Sequence, residues 1–313
     1  MPSRTVVSLG GNALLPAQGP GRIAEQIRVT TQTMAQVVEL LQDGEEVIVT
    51  HGNGPIVGNI LIRNEAAARI IPPTPLDICG ADSQGGIGYM IQQVLRNLLR
   101  RAGIERDVAT IVTQMVVASD DPGFRDPTKP IGPFYSTEEA RSLMRQRGWR
   151  MIEDSGRGWR RVVASPEPLR LIELGPIRAL IEAGVIVIAA GGGGIPVVEE
   201  SQGVLEGVEA VIDKDLGSVV LAEAVDARRL AIVTAVERVA LDFGTPQQRD
   251  LSALTIAEAR RHLDAGQFPA GSMGPKIRGA IRFLEAGGRE VLITDPSSLV
   301  RGLAGQAGTR ILP

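Results

Sequence analysis

Apolar positions along the chain alternate between two rhythms. Short runs of mostly β-branched residues at 5–9, 47–50, 107–112, 185–190, 230–234, 291–294 and 309–312 predict buried strands. Between most of them the apolar residues recur every three or four positions, predicting helices over 22–43, from Ile56 onward, and over 77–101, 175–183, 215–225, 255–263 and 276–285. In the helix over 215–225 the period turns Leu216, Val219, Val220 and Leu221 inward. The helix over 77–101 keeps its period through Met90, Ile91, Val94, Leu95, Leu98 and Leu99 in spite of Gly80, Gly85, Gly86 and Gly88. Each such glycine costs about 1 kcal/mol relative to alanine, so these four imply close approach of another element or a ligand. Strand, glycine loop, helix is the repeating unit of an α/β fold.

The rhythm breaks between residues 120 and 165. This stretch holds Pro122, Pro127, Pro130 and Pro133 and five of the nine aromatic residues, Phe124, Phe134, Tyr135, Trp149 and Trp159. It reads as a small excursion with its own mini-core, containing a β-hairpin of 149–154 and 159–163 about the turn 155–158. Lys129 lies between prolines that stiffen its presentation, as suits a lid or substrate arm. The whole, 1–313, reads as one α/β domain with 120–165 inserted in its first half.

Composition narrows the class. With 313 residues and 43% apolar content the chain can bury a large core. A formal charge of -3 and 3% aromatic residues argue against nucleic acid or an acidic membrane as partner. The one cysteine, Cys79, allows no intrachain disulfide, and no Cys/His cluster has metal-ligand spacing. No signal-peptide pattern or membrane-length apolar window is present, so a cytoplasmic protein is expected.

Charge becomes informative at the lysines. There are three, Lys129, Lys214 and Lys276, against thirty arginines. Lysine is a compact ammonium where arginine is a planar fork, so positions that kept lysine are candidates for point-charge work. Lys214 stands between Asp213 and Asp215 at a predicted helix start, and Lys276 follows Pro275 at another. Four loops, at Gly10, Gly52, Gly191 and Gly274, join glycine to a strand end or helix start. In a parallel sheet such loops gather at the carboxyl edge, where bare amides bind anions. The nucleotide signatures Gly-x-x-x-x-Gly-Lys-Ser/Thr and strand-coupled Gly-x-Gly-x-x-Gly are missing, as is a Gly-x-Ser-x-Gly elbow, and only two histidines occur. Phosphoryl transfer needs alignment and neutralised charge more than covalent work. Lys214 and Lys276 are the candidates to touch the moving phosphoryl. Asp215 either orients both ammonium groups or is an ordinary acidic first-turn residue, and Asp213 is a weaker candidate to assist Mg²⁺. Asn12 and Asn53 either bond substrate or serve the loop backbone. His51 reads as a strand-end residue rather than a base, and Cys79, Ser83 and Gln84 border the same cleft, with Cys79 read as packing.

The blocks Leu9-Gly10-Gly11-Asn12-Ala13-Leu14, His51-Gly52-Asn53-Gly54-Pro55, 127–135, 190–196, 211–215 and 271–276 together resemble carbamate kinase, within the amino-acid kinase superfamily. The resemblance runs in order from residue 5 to 312. It implies an α/β fold, a three-layer αβα sandwich on a largely parallel open sheet with a small protruding subdomain, and a homodimer. It implies reversible transfer between ATP and carbamate, giving ADP and carbamoyl phosphate, with Mg²⁺. By position it makes Lys214 and Lys276 stabilise the phosphoryl, Asp215 hold both, and Lys129 reach towards the carbamate. It sets Gly10, Gly11, Asn12, Gly52, Asn53 and Gly54 on the substrate side. It lays the nucleotide over 170–313, at Gly191, Gly192, Ala235, Phe243, Met273 and Gly274. Ile56 departs from a common glutamine and Ala240 from a common tyrosine. The rivals are a related kinase acting on an acylamino acid or phosphorylated substrate, and a nucleotide or anion sensor without turnover.

Overall fold

The computed structural model describes residues 3–16, 21–154, 158–269 and 271–313. In chain order its principal elements are β1 (Arg4–Leu9), α1 (Ile23–Gln42), β2 (Glu46–His51), α2 (Gly54–Ala67), α3 (Leu76–Arg101) and β3 (Val108–Thr110). There follow β4 (Lys129–Tyr135), α4 (Thr137–Arg147), β5 (Met151–Glu153), β6 (Trp159–Val163) and β7 (Ile186–Ile188). The remainder is α5 (Lys214–Ala224), β8 (Arg229–Val233), β9 (Ala253–Thr255), α6 (Met273–Glu285), β10 (Glu290–Thr294) and β11 (Thr309–Leu312).

Eight strands form one sheet in the order β9-β11-β10-β8-β1-β2-β7-β3. The six from β10 to β3 run parallel, and β11 pairs antiparallel with β10 and parallel with β9. Alternation along the strands divides the interior into two cores. Val6, Ile48, Val187, Leu230, Ile232, Val291 and Ile293 face one side, where Val219 and Leu221 of α5 and Ile277 and Phe283 of α6 cover them. Val7, Leu9, Val49, Ile186, Ile188, Ala231, Val233 and Leu292 face the other, beneath Met34 and Val37 of α1 and Ile91 and Leu95 of α3. A strand apolar at consecutive positions is buried on both faces, and that is the origin of the three layers.

The excursion is a three-stranded antiparallel sheet, β4-β6-β5, with α4 against it. Its mini-core sets Tyr135 edge-on to Trp149 at 6.3 Å, with the Arg161 guanidinium 4.8 Å above the Trp149 ring. Strands β5 and β6 pair as a hairpin predicts, and residues 155–157 of its turn lie outside the described residues.

Several expectations shift. The strand over 107–112 shortens to Val108–Thr110, Leu216 is half-buried rather than inward, and Gly274 lies inside the first turn of α6 instead of in a loop. Of the α3 glycines only Gly88 meets another element: a Cβ there would stand 2.2 Å from Thr110 Cγ2. Gly80, Gly85 and Gly86 face open space. The strand pair Val239–Leu241 and Arg249–Leu251 was not foreseen, nor was the sheet of Gln114–Val116, Arg170–Leu171, Ile195–Glu199 and Leu205–Gly207. At two to five residues these strands are too short for period to declare itself.

Candidate active site

The carboxyl ends of β1, β2, β7 and β8 lie side by side, and the loops that follow them share one crest. Gly10 N–H donates to Val233 O at 2.8 Å and Gly52 N–H to Leu9 O at 2.9 Å. These two amides finish the sheet and do not lie bare, contrary to the sequence expectation. Gly11, Asn12 and Gly54 are exposed at the rim. Gly10 is required sterically, since a Cβ there would come within 2.7 Å of Val233 O.

Helix α5 starts at this crest. Asp213 caps it, its Oδ1 accepting the Asp215 N–H at 2.9 Å. The cap turns Lys214 and Asp215 back over the strand ends. Lys214 runs its stem over Gly52, where a Cβ would lie 3.4 Å from Lys214 Cδ. Its Nζ donates to Asp215 Oδ1 at 2.6 Å and to Ser8 Oγ at 3.0 Å. Lys276, arriving from α6, donates to Asp215 Oδ2 at 2.9 Å and to Ser272 O at 3.3 Å. Asp215 therefore gives one oxygen to each ammonium. Lys129, from β4, meets Asp213 Oδ2 at 2.6 Å. Four residues picked from the sequence, spread over some 150 positions, are thus brought together.

Ser8 and Ser218 complete the cluster. Their hydroxyls lie 2.7 Å apart, Ser218 donates to Lys214 O, and Ser8 in turn donates to Ser218 while accepting from Lys214. Both are fully buried. Sequence reasoning passed over them; the available signal was Ser8 as a hydroxyl set between Val7 and Leu9 in the apolar run of β1.

Burial alone would push the Asp215 carboxyl up, but the two ammonium groups outweigh it and hold the carboxyl well below the usual carboxylate range. Burial pushes the Lys214 ammonium down, with the Lys276 charge adding to it, and Asp215 only partly restores it. Three ammonium groups face two carboxylates, Asp213 and Asp215. One positive charge is left in excess, and the site attracts anions.

The glycine loop at Gly191 does different work from that expected. Gly191 and Gly192 are buried against β2 and α3, and Cβ atoms there would come within 2.5 Å of His51 Nε2 and Asn53 Nδ2 respectively. Gln84 latches the turn, donating to Gly191 O at 2.8 Å and to Thr113 O at 3.1 Å and accepting from Thr113 N–H at 2.8 Å. Asn53 donates to Ser83 Oγ at 3.3 Å. Gly191 and Gly192 thus sit with Asn53, apart from the other expected nucleotide residues. His51 is 1% exposed, its Nδ1–H donates to Gly52 O at 3.1 Å, and burial pulls its imidazole down to about 4. Cys79 is fully buried beside Asn64 and Thr74, as packing requires.

Next to Lys276 opens a cavity of about 160 Å³ lined by Ala235, Ala240, Phe243, Phe268 and Met273. Ala235, Phe243 and Met273 are brought together here, with Lys276 on the shared wall, and Gly274 is buried behind it. The small Ala240 helps keep the cavity open. Such a slot accepts a flat apolar group whose charged tail runs past Lys276 to the lysine cluster. Among the described residues no three acidic, histidine or cysteine side chains gather to hold a metal ion.

The model of the amino acid kinase family matches residues 3–295. Carbamate kinase of Pyrococcus horikoshii is 49% identical over 315 residues, covering the full length of both chains. The carbamate kinase-like protein YahI of Escherichia coli is 47% identical and covers 100% of this chain and 99% of its own. Carbamate kinase from Giardia lamblia, solved bound to AMP-PNP, superposes with a TM-score of 0.91 at 41% identity, covering 99% of this chain and 98% of that one.

Proposed function

The chain belongs to the carbamate kinases of the amino acid kinase family, and from that premise we propose how its residues divide the work of moving a phosphoryl group between carbamoyl phosphate and ADP. The chain is a phosphotransferase, and ATP is its co-substrate, in keeping with the relative solved with AMP-PNP. In the direction of ATP formation, an oxygen of the ADP β-phosphate forms a bond to phosphorus. The bond from phosphorus to the carbamoyl oxygen breaks, and carbamate leaves with the electron pair. Carbamate is released as an anion, so no proton needs to be moved. The buried, neutral His51 suits a site without a general base.

The observation that carries this reading is the sharing of Asp215 by Lys214 and Lys276, at 2.6 and 2.9 Å. Two ammonium groups held at fixed spacing neutralise the oxygens of a phosphoryl in flight, and they are already in place before substrate arrives. Lys129 serves the carbamoyl side, with Asn53 and the exposed Gly11, Asn12 and Gly54 around it. The adenine lies in the cavity of Ala235, Phe243 and Met273, and the phosphates run past Lys276. Mg²⁺ would enter as part of the nucleotide substrate and neutralise phosphate charge, and the Asp213 oxygens are engaged with Lys129 and the Asp215 N–H.

We assign 120–165 as the protruding subdomain and 170–313 as the nucleotide-binding half. No described helix is long and apolar enough to cross a membrane, and the proposed setting is the cytoplasm, as a homodimer. The test is to mix purified protein with Mg-ADP and carbamoyl phosphate. ATP is expected, and its absence overturns the reading. An acylamino acid supplied with Mg-ATP in place of carbamate is expected to yield no ADP, and turnover with it alone would favour the related kinase.

A further inference from the structure

Asp213 makes two bonds that tie separate parts of the chain to one another. Its Oδ1 accepts the Asp215 N–H at 2.9 Å, fixing the start of α5, and its Oδ2 takes Lys129 Nζ at 2.6 Å, from a strand 84 residues earlier. The two side chains are only 17% and 28% exposed, so water screens the pair less than it does a surface ion pair. A carboxylate has two oxygens, and here each has one task. Rotating Asp213 to follow a displaced Lys129 would break the helix cap, and loosening the cap would misdirect the oxygen that Lys129 meets.

We propose that Asp213 is a positioning residue for the carbamoyl side of the reaction, registering Lys129 of the excursion against Lys214 and Asp215 of α5. The inference rests on the carbamate kinase reading and adds a residue to it. An ammonium has three N–H donors. With one directed to Asp213, the other two are aimed along fixed lines from it, and the ammonium reaches substrate already placed. The Asp213 carboxylate bonds Lys129 and not the ammonium groups of Lys214 or Lys276, and it does not line the cavity at Phe243, so a change that spares its helix cap is expected to act chiefly through Lys129.

The substitution Asp213→Asn separates the two tasks. Asparagine keeps an oxygen for the Asp215 N–H, and asparagine caps helices as well as aspartate. Towards Lys129 it presents an amide N–H₂ in place of the second oxygen. The first measurement uses no turnover: acylation of the three lysines by an N-hydroxysuccinimide ester, read peptide by peptide by mass spectrometry. In Asp213→Asn the labelling of Lys129 is expected to rise at least about threefold, with Lys214 and Lys276 within about twofold of wild type. The second is a double-mutant cycle with Lys129→Met, following ATP formation. Asp213→Asn is expected to raise KM for carbamoyl phosphate about tenfold and leave KM for ADP within about twofold. In the double variant the loss is expected to match that of Lys129→Met alone. Losses that multiply, unchanged Lys129 labelling, or Lys214 labelling that rises with that of Lys129 would overturn the proposal, the last because it reports a damaged helix start. If wild-type protein makes no ATP, the carbamate kinase reading fails instead, and the labelling still decides whether Asp213 holds Lys129.

Discussion

At the scale of single residues, the site is a problem in placing compact positive charge. Each oxygen of Asp215 receives one ammonium, and the stem of Lys214 already lies against Gly52. A guanidinium is wider and seeks both oxygens of one carboxylate, so it cannot share Asp215 in this way. Lys214→Arg and Lys276→Arg are each expected to lower kcat at least about tenfold, a barrier change of roughly 1.4 kcal/mol. Steady-state rates close to wild type in both variants would refute the point-charge account. His51 makes a different prediction. Its folded imidazole titrates at about 4, below the 6.5 of the unfolded chain. Between those values the unfolded state binds the extra proton, so the contribution of His51 to stability is intact near pH 7 and is lost as pH falls towards 4. Full loss amounts to about 3 kcal/mol. Denaturant midpoints across pH 4–7 are expected to fall less steeply with acid in His51→Asn than in wild type, and equal slopes would count against a neutral buried imidazole. The sequence disclosed the lysines because lysine is scarce in it. Ser8 and Ser218 were hidden because they are 210 positions apart and meet only once α5 lies over β1.

At the scale of elements, long periodic stretches were legible and contacts between elements were not. Helices α1 and α3 fall within a residue of the apolar period that predicts them. The role of Gly58 had no such signal, because a glycine in a helical stretch does not announce its neighbour. In the fold, Gly58 of α2 faces the backbone of β4, and a Cβ there would stand 2.2 Å from Gly132 Cα. Glu65, two turns on, binds Arg147 at 2.7 Å and lies 3.8 Å from Arg161. Helix α2 is therefore the seat of the excursion, and β4 carries Lys129. Gly58→Ala is expected to push β4 away from α2, costing about 1–3 kcal/mol of stability as overpacking does. It is also expected to raise KM for carbamoyl phosphate severalfold more than KM for ADP. Equal effects on both substrates would show that α2 does not set the position of Lys129.

At the scale of the whole molecule, one face has no partner among the described residues. Helices α1, α2 and α3 enclose an open groove of about 640 Å³ lined by Ile23, Ile27, Ile60, Ile71 and Tyr89. Ile23, Ile71 and Tyr89 are 65%, 57% and 63% exposed, which gathers apolar side chains on one open surface. The α3 glycines bear on the same point. Gly86 lines the groove and its chain neighbour Gly85 is likewise exposed, and nothing among the described residues fills the space their missing side chains leave. Glycine in the middle of a helix is destabilising, and close approach by a second copy's backbone would give these two a use. The proposed homodimer is therefore expected to form through this groove, and light scattering is expected to give twice the chain mass of 33.2 kDa. Ile71→Glu combined with Tyr89→Glu would bury two carboxylates from each chain in that interface, and the variant is expected to run as a monomer. Its ATP formation per chain is expected to stay within about threefold of wild type, because Lys129, Lys214, Lys276, Asp213 and Asp215 all come from one chain. A wild-type monomer at micromolar concentration would refute the dimer. A variant that stays dimeric would move the interface to another face.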